Sequence, residues 1–262
     1  MYTDIHCHLT GEEYAETGGA DGVIERAKAN GVHLIVCSGF DLTSSEQAKR
    51  IAERHEGVYF TAGFHPSELH KYREGDLEKI ETLCGHEKCI AVGEIGLDYH
   101  FEDNPAPETQ RELFLAQMRI AHKLGLPFVI HSRDAAEETY TMLTENVALL
   151  EYGALLHCYS YSAEMAKRFE ALGLYFSFGG PCTFKNAKKV QDSVRAIPAH
   201  RILSETDCPY LAPVPFRGEF PNEPKNAVFV TETLAALKEL SVERMAETIR
   251  ENAQALFYKL KR

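Results

Sequence analysis

Short apolar segments alternate with longer amphipathic segments along the whole chain, and this alternation constrains the fold more than any other feature. The short segments are rich in β-branched and aliphatic residues and are bounded by turn-forming residues, a pattern typical of strands. Eight such segments occur, at residues 2–6, 32–37, 58–64, 89–95, 126–131, 153–158, 174–178 and 201–205. Helical spacing of apolar residues predicts helices at 22–30, 44–56, 76–84, 108–123, 135–145, 163–172, 188–196, 225–240 and 242–259. This order of strands and helices predicts an α/β protein with a parallel sheet.

The number of strand–helix units distinguishes between two α/β architectures. Eight units in 262 residues match a single (β/α)8 TIM barrel, whose typical size is roughly 250 residues. A doubly wound open sheet is the alternative, but no Gly-x-Gly-x-x-Gly turn follows the first strand, where a dinucleotide-binding fold places its phosphate loop. Since no low-complexity linker divides the chain, we predict one barrel domain over residues 1–262.

The charge balance limits the partners of the protein. Asp and Glu outnumber Lys and Arg by 39 to 28, so the formal net charge is −11. Such a chain has no overall field that attracts a polyanion, which disfavours non-specific binding along a DNA duplex or an anionic membrane. No apolar run reaches the roughly 18 residues of a membrane helix, and the first residues lack the features of a signal peptide. We therefore expect a cytoplasmic protein without membrane contact, and nothing indicates an obligatory protein partner.

Histidines and carboxylates come at corresponding ends of the predicted strands. His6 and His8 end the first strand, and because side chains alternate sides along a strand, both imidazoles point the same way. Residues of the same kind end strands three to six or follow strand eight: His65, Glu94, His131, His157 and Asp207. The carboxyl ends of barrel strands form the active-site face, so we expect these side chains to converge.

Each of these residues alone has a structural alternative. Glu94 is also compatible with a buried ion pair, and Asp207 with a turn or a helix cap. His65 is compatible with a hydrogen-bonded core histidine, and His131 with a surface position. Ligand-type residues at six of the eight strand ends nevertheless favour one shared metal site.

The number of ligand-type residues favours two ions over one. Four histidines and two carboxylates exceed the needs of one tetrahedral zinc, whereas two divalent ions about 3.5–4 Å apart use the whole set. The predicted ligands are His6, His8, Glu94, His131, His157 and Asp207. Glu94 is the expected bridge, because it lies between the two histidine groups in strand order. In this hypothesis a metal lowers the pKa of a water molecule to about 7 and Asp207 takes its proton, so Glu94 and Asp207 are the predicted catalytic residues. The identity of the ions, Zn, Mg or Mn, stays open.

These residues lie in seven motifs that follow one another along nearly the whole chain. The motifs are His6-Cys7-His8-Leu9, Gly63-Phe64-His65-Pro66, Gly93-Glu94-Ile95-Gly96-Leu97-Asp98-Tyr99, His131-Ser132-Arg133, His157-Cys158, Glu205-Thr206-Asp207-Cys208-Pro209-Tyr210-Leu211 and Arg217-Gly218. In this order they resemble the TatD-related metal-dependent DNases of the amidohydrolase superfamily. The resemblance implies a (β/α)8 barrel, the same six metal ligands, a substrate-phosphate role for His65, and 3′ exonuclease or related phosphodiesterase activity on DNA.

Two arginines are the best candidates for binding substrate phosphate. The guanidinium groups of Arg133 and Arg217 match the geometry of phosphate oxygens, although Arg133 is also compatible with an ion pair to Asp134. We predict a metal-dependent hydrolase of phosphodiester bonds that acts on DNA ends or on a small phosphate-bearing substrate. The alternative is a hydrolase of a small amide, ester or lactone, because one fold supports both chemistries. A metal-binding scaffold without catalysis is a third hypothesis, but structural metal sites are closed and usually rich in cysteine.

Overall fold

The structure is a computed structural model, and it describes residues 1–261. Its eight strands are parallel and pair in chain order, each with the next. The strands are β1 Tyr2–Cys7, β2 Val32–Ser38, β3 Val58–Ala62, β4 Cys89–Asp98, β5 Phe128–Arg133, β6 Ala154–Leu156, β7 Tyr175–Phe178 and β8 Ile202–Ser204. The α-helices of the described residues are α1 Gly19–Ala29, α2 Leu42–Arg54, α3 Asp76–Cys84, α4 Pro107–Leu124, α5 Ala136–Glu145, α6 Ala163–Ala171, α7 Lys188–Ala196, α8 Ala227–Leu237 and α9 Val242–Leu256. All predicted strands and helices are therefore present, with bounds shifted by a few residues.

The barrel closes between β1 and β8 through individual hydrogen bonds. The amide of Asp207 donates to the carbonyl of His6 over 3.0 Å, and the amide of His8 donates to the carbonyl of Cys208 over 2.7 Å. Below them, the fully buried carboxyl group of Asp4 accepts the amide of Thr206 at 2.9 Å and pairs with its hydroxyl at 2.5 Å. These bonds join the two ends of the chain, and the predicted TIM barrel is confirmed.

Strand β4 is longer than the sequence pattern predicts. All of its ten residues are buried, since neighbouring strands, helices and the barrel interior cover it on every side. It pairs with β5 as far as Asp98, opposite Arg133. The expectation that Glu94 ends this strand is therefore wrong, because the strand continues for four residues beyond Glu94. His131 likewise lies inside β5 and not at its end.

The loop after β2 is fixed to the loop after β3. Asp41 caps α2, since its carboxylate accepts the amide of Ser44 at 2.7 Å. The other oxygen of the same carboxylate accepts the ammonium of Lys71 at 2.8 Å. Lys71 ends the short 3-10 helix Pro66–Lys71, which His65 caps, so this ion pair helps to position the histidine that follows β3.

None of the helices of the described residues is both long enough and apolar enough to cross a membrane.

The closing seam generates a prediction about stability. Replacing Thr206 with Val keeps the side-chain shape but removes the hydroxyl group that pairs with the buried carboxyl of Asp4. We expect the free energy of unfolding to fall by about 1–3 kcal/mol, because a buried polar group loses its partner. Urea denaturation followed by circular dichroism measures this change. Thr141→Val, on the exposed face of α5, is the matched control, and an equal loss in both variants would contradict the role of the seam.

Candidate metal centre

The carboxylate of Glu94 lies at the centre of a group of histidines and is only 3% exposed. Its Oε2 atom faces the residues of β1, at 3.2 Å from His6 Nε2 and 3.6 Å from His8 Nε2. Its Oε1 atom faces the opposite way, at 2.7 Å from His157 Nε2 and 2.8 Å from His131 Nδ1. One carboxylate therefore contacts two separate pairs of histidines, one with each oxygen.

Asp207 completes the group on the side of β1. Its Oδ1 atom is 3.8 Å from His6 Nε2 and 3.5 Å from His8 Nε2. Donor atoms of His6, His8 and Asp207 all lie within 4.8 Å of one another. The same holds for a second group, Glu94, His131 and His157. The structure thus brings all six predicted ligands together in two adjoining groups.

Ser38, the last residue of β2, orients both histidines of β1. Its carbonyl oxygen accepts His8 Nδ1–H at 3.0 Å, which leaves His8 Nε2 facing Glu94 and Asp207. Its hydroxyl group is 3.0 Å from His6 Nδ1. Hydrogen bonds to the other ring nitrogen are the usual support of a metal-binding histidine.

Two further carboxylates support the second group, and neither was predicted as a site residue. Asp98 Oδ2 is 3.2 Å from His131 Nε2, and Asp98 is 2% exposed. Glu205 is fully buried, accepts the hydroxyl of Ser177 at 2.6 Å, and places Oε1 at 3.8 Å from His157 Nδ1. The spacing of each residue from a predicted ligand is the sequence signal that could identify it. Asp98 follows Glu94 by four residues on one strand, and Glu205 precedes Asp207 by two.

His65 lies at the edge of the centre. Its Nδ1 atom accepts the amide of Ser67 at 3.1 Å, so in the neutral ring the proton is on Nε2. That Nε2 atom is 3.4 Å from Glu94 Oε1. Burial, together with the neighbouring His131, lowers the pKa of His65 to about 3, and His65 is therefore a neutral hydrogen-bond donor.

An open cavity of about 600 Å³ lies above these residues. Its floor carries the histidines and carboxylates, and its wall carries mainly apolar side chains. Arg133 lines the cavity, and its predicted alternative partner Asp134 pairs instead with His100 at 2.8 Å. Arg217 does not line the cavity, because it lies exposed with its guanidinium over the ring of Phe184, at 4.1 Å. The structure therefore brings Arg133 to the site but not Arg217.

The buried charges of the centre have strongly displaced pKa values. Burial opposes ionisation of His157, yet the carboxylates of Glu94 and Glu205 raise its pKa to about 10. Burial lowers the pKa of His6 to about 4, and the nearby charge of His157 acts in the same direction. Burial would raise the pKa of Glu94, but His157 and the other histidines hold it well below its ordinary value. Without a metal ion, protonated His157 and the carboxylate of Glu94 stabilise each other's charge.

The donor atoms fit divalent cations. His6 Nε2, which faces Glu94 and Asp207, is buried and makes no hydrogen bond to the described residues. Imidazole nitrogens and carboxylate oxygens are ligands that zinc and manganese accept, whereas the oxygen-only coordination preferred by magnesium would use a smaller part of this set. A barrel with such a cluster at the carboxyl ends of its strands defines the class of metal-dependent hydrolases built on the TIM barrel.

Comparison with known proteins agrees with this class. The model of the family described as TatD related DNase matches residues 3–258, and the chain belongs to this family. It is 44% identical to the uncharacterized metal-dependent hydrolase YabD of Bacillus subtilis, over 98% of this chain and 99% of that protein. It is 32% identical to the 3'-5' ssDNA/RNA exonuclease TatD of Shigella flexneri, over 97% and 98% of the two chains. The crystal structure of YjjV, a TatD homolog from Escherichia coli, matches with a TM-score of 0.90 at 29% identity and covers 98% of both chains. The resemblance inferred from the motifs is thus confirmed, and the protein is a metal-dependent hydrolase.

The displaced pKa of His157 generates a prediction for the metal-stripped protein. Because the folded value of about 10 exceeds the unfolded value of about 6.5, protonated His157 stabilises the fold below pH 6.5, and this contribution disappears as the pH rises through 10. NMR of 15N-labelled histidine should therefore show an imidazolium at pH 8. In Glu94→Gln the paired charge is gone, so the same signal should titrate at a much lower pH. Glu53→Gln, which alters a carboxylate beside His86 outside the cluster, is the control and should leave the titration of His157 unchanged.

Proposed function

We propose that this protein is a two-metal phosphodiesterase that removes nucleotides from the 3′ ends of DNA. The observation that carries the proposal is the position of Glu94, whose two oxygens face different pairs of histidines. A carboxylate in this position is suited to bridge two ions. Two-metal centres are typical of enzymes that displace an oxygen from phosphorus in line. The exonuclease name of the relative in Shigella flexneri supports the choice of a nucleic acid substrate.

In this proposal His6, His8 and Asp207 would hold one ion, His131 and His157 would hold the other, and Glu94 would contribute to both. Divalent ions at these positions supply a Lewis acid that neutralises phosphate charge and makes a water molecule more acidic. Asp207 accepts the proton of the attacking water. Its pKa lies below the ordinary value, since the hydrogen bond from His8 and the nearby histidines outweigh the effect of burial, so the group is ionised and able to accept.

Two side chains are positioned to bind the substrate phosphate. Neutral His65 presents Nε2–H toward the floor of the cavity, and Arg133 presents a guanidinium at its wall. A neutral donor stabilises phosphate oxygens without adding a second buried cation beside His157. Arg133 takes part in no ion pair among the described residues, so its charge is available to the substrate.

The acidic surface limits the substrate to a strand end. Lys71 lies near the same mouth but is paired with both Asp41 and Glu68, at 2.8 and 2.6 Å. Glu68 and Glu13 also line the cavity and repel a long polyanion. A chain with net charge −11 is therefore suited to hold one or two phosphates at the centre and unsuited to track along a duplex.

The test compares two classes of substrate. End-labelled single- and double-stranded oligonucleotides are incubated with Mg²⁺, Mn²⁺ or Zn²⁺, in parallel with a panel of lactones and N-acyl amides. We expect stepwise shortening from the 3′ end. In Asp207→Asn, kcat should fall by at least about a hundredfold with KM little changed, because removal of a general base affects the chemical step. Turnover of a lactone or amide without cleavage of any oligonucleotide would overturn the proposal in favour of the small-molecule hydrolase.

Metal analysis tests the bridging position of Glu94. We expect the purified protein to bind about two ions and to lose all activity on chelation, with recovery when metal is restored. Glu94→Gln should lose both ions, since it contributes to both groups, whereas His131→Ala should lose only the second. His33→Ala, an exposed histidine of β2, is the matched control and should retain the full content. Loss of a single ion in both Glu94→Gln and His131→Ala would contradict the shared carboxylate.

A further inference from the structure

Large apolar side chains lie exposed around the mouth of the cavity. Phe101 is 49% exposed, Tyr210 is 54% exposed and Leu211 is 40% exposed, and all three line the cavity. Phe220, which is 61% exposed, packs on Tyr210 with ring centroids 6.2 Å apart. Exposure of neighbouring apolar groups on a charged protein is unfavourable unless a ligand covers them, so this cluster indicates a binding surface.

The apolar residues approach the mouth from opposite sides. Phe101 follows β4, whereas Tyr210 and Leu211 follow β8. The eight strands pair in chain order around the barrel, so β4 and β8 are diametrically opposed. The metal-ligand residues of the floor lie between the two sides. A substrate whose reacting group reaches the floor therefore has an aromatic ring on either side of it.

The backbone that presents Tyr210 is held by hydrogen bonds, and its ring is exposed. The amide of Tyr210 donates to the carbonyl of Asp207 at 3.1 Å, and its carbonyl accepts the side-chain amide of Asn222 at 2.8 Å. Asn222 is 1% exposed and also donates to the carbonyl of Thr206. The loop is thus held in place from below, while the Tyr210 ring stays available for contact.

The backbone of Leu211 has an energetically unfavourable conformation. Its φ angle is +57°, in the left-handed region that an L-residue with a branched side chain rarely adopts. Strained residues of this kind are typically found where a loop presents groups to a ligand. A glycine at position 211 would adopt this φ angle without strain. The leucine instead places an exposed apolar side chain at the mouth of the cavity.

On the opposite side of the mouth, Phe101 lies next to the guanidinium group of Arg133. The guanidinium of Arg133 lies 5.0 Å from the centroid of the Phe101 ring. An aromatic ring beside one positive charge can stack on a flat ring of a ligand while the charge binds a phosphate attached to that ring. This combination is what a nucleotide offers, and proteins that bind single strands join aromatic platforms to cationic groups in the same way.

We propose that Phe101 and Tyr210 stack on unpaired bases at the substrate end, so that base stacking selects single-stranded termini. The inference rests on the function proposed above and adds the residues that determine specificity. Bases paired within a duplex are already stacked on their neighbours and cannot enter between the two rings. Because only the ring face is read, stacking selects an unpaired end without selecting its sequence.

The experiment measures the contribution of the terminal base directly. Single-stranded oligonucleotides that differ only in their last nucleotide, which carries either a base or an abasic tetrahydrofuran, are compared in kcat/KM. We expect the wild-type protein to prefer the substrate with a terminal base. In Phe101→Ala and in Tyr210→Ala, KM for that substrate should rise by about 5- to 150-fold, the range expected for loss of one base–ring stacking contact. Phe101→Tyr and Tyr210→Phe keep a ring and should retain the preference. Terminal 2-aminopurine fluorescence should be quenched by the wild-type protein and not by the alanine variants.

Tyr152→Ala is the matched control, because Tyr152 is 41% exposed but precedes β6 at the other end of the barrel. It should behave as the wild type. If the wild-type protein cleaves oligonucleotides and both alanine variants keep the preference for a terminal base, stacking is refuted while the nuclease function stands. If the wild-type protein cleaves no oligonucleotide, the proposed function itself fails. An equal fall in kcat for the base-bearing and abasic substrates would also refute stacking, since it would indicate general damage to the site.

Discussion

The buried negative charge of Glu94 is the constraint on which the centre of this barrel depends. Removal of a carboxylate from water costs several kcal/mol, about as much as the whole protein can lose before it unfolds, unless compensating groups surround it. Here the compensation comes from histidines on four other strands or their following loops, at 2.7–3.6 Å from the two oxygens. The strands must therefore be positioned accurately relative to one another. Loss of any one of these histidines would leave part of the buried charge uncompensated.

The neighbours of the histidines show how this accuracy is achieved. Ser38 contacts two histidine rings from the end of β2, with its carbonyl and its hydroxyl. Asp98 contacts a third ring from β4, and Glu205 approaches a fourth from the end of β8. Each of these supporting residues is itself buried, so its own position is determined by packing. A set of fixed ring orientations results, with the remaining nitrogens directed to one small volume.

The sequence was sufficient to predict the architecture and the members of the cluster, and insufficient to predict its supports. Strand periodicity and turn residues identify eight strands because burial in a parallel barrel imposes apolar runs that are visible locally. The sequence pattern places the end of β4 too early, since Gly96 and Asp98 resemble turn residues although both are paired with β5. The sequence does not identify Asp98 and Glu205 as partners of histidines, because an acidic residue near a motif has many local explanations. The chemistry of Arg217 predicts a phosphate-binding role, but the position of a side chain on a long loop depends on contacts such as the one with Phe184, which no local pattern reveals.

The closure of the barrel has a consequence for the order in which the centre is assembled. Glu94 and His131 lie in β4 and β5 and His157 directly follows β6, so their contacts need only a short part of the chain. His6 and Asp207 meet only when the first and last strands come together, and contacts of such large sequence separation form slowly. A chain that ends before β8 contains Glu94, His131 and His157 but lacks Asp207, so the group formed with His6 and His8 stays incomplete. A ligand held jointly by both halves would crosslink the two ends of the chain, and its binding energy would oppose opening of the barrel at the seam.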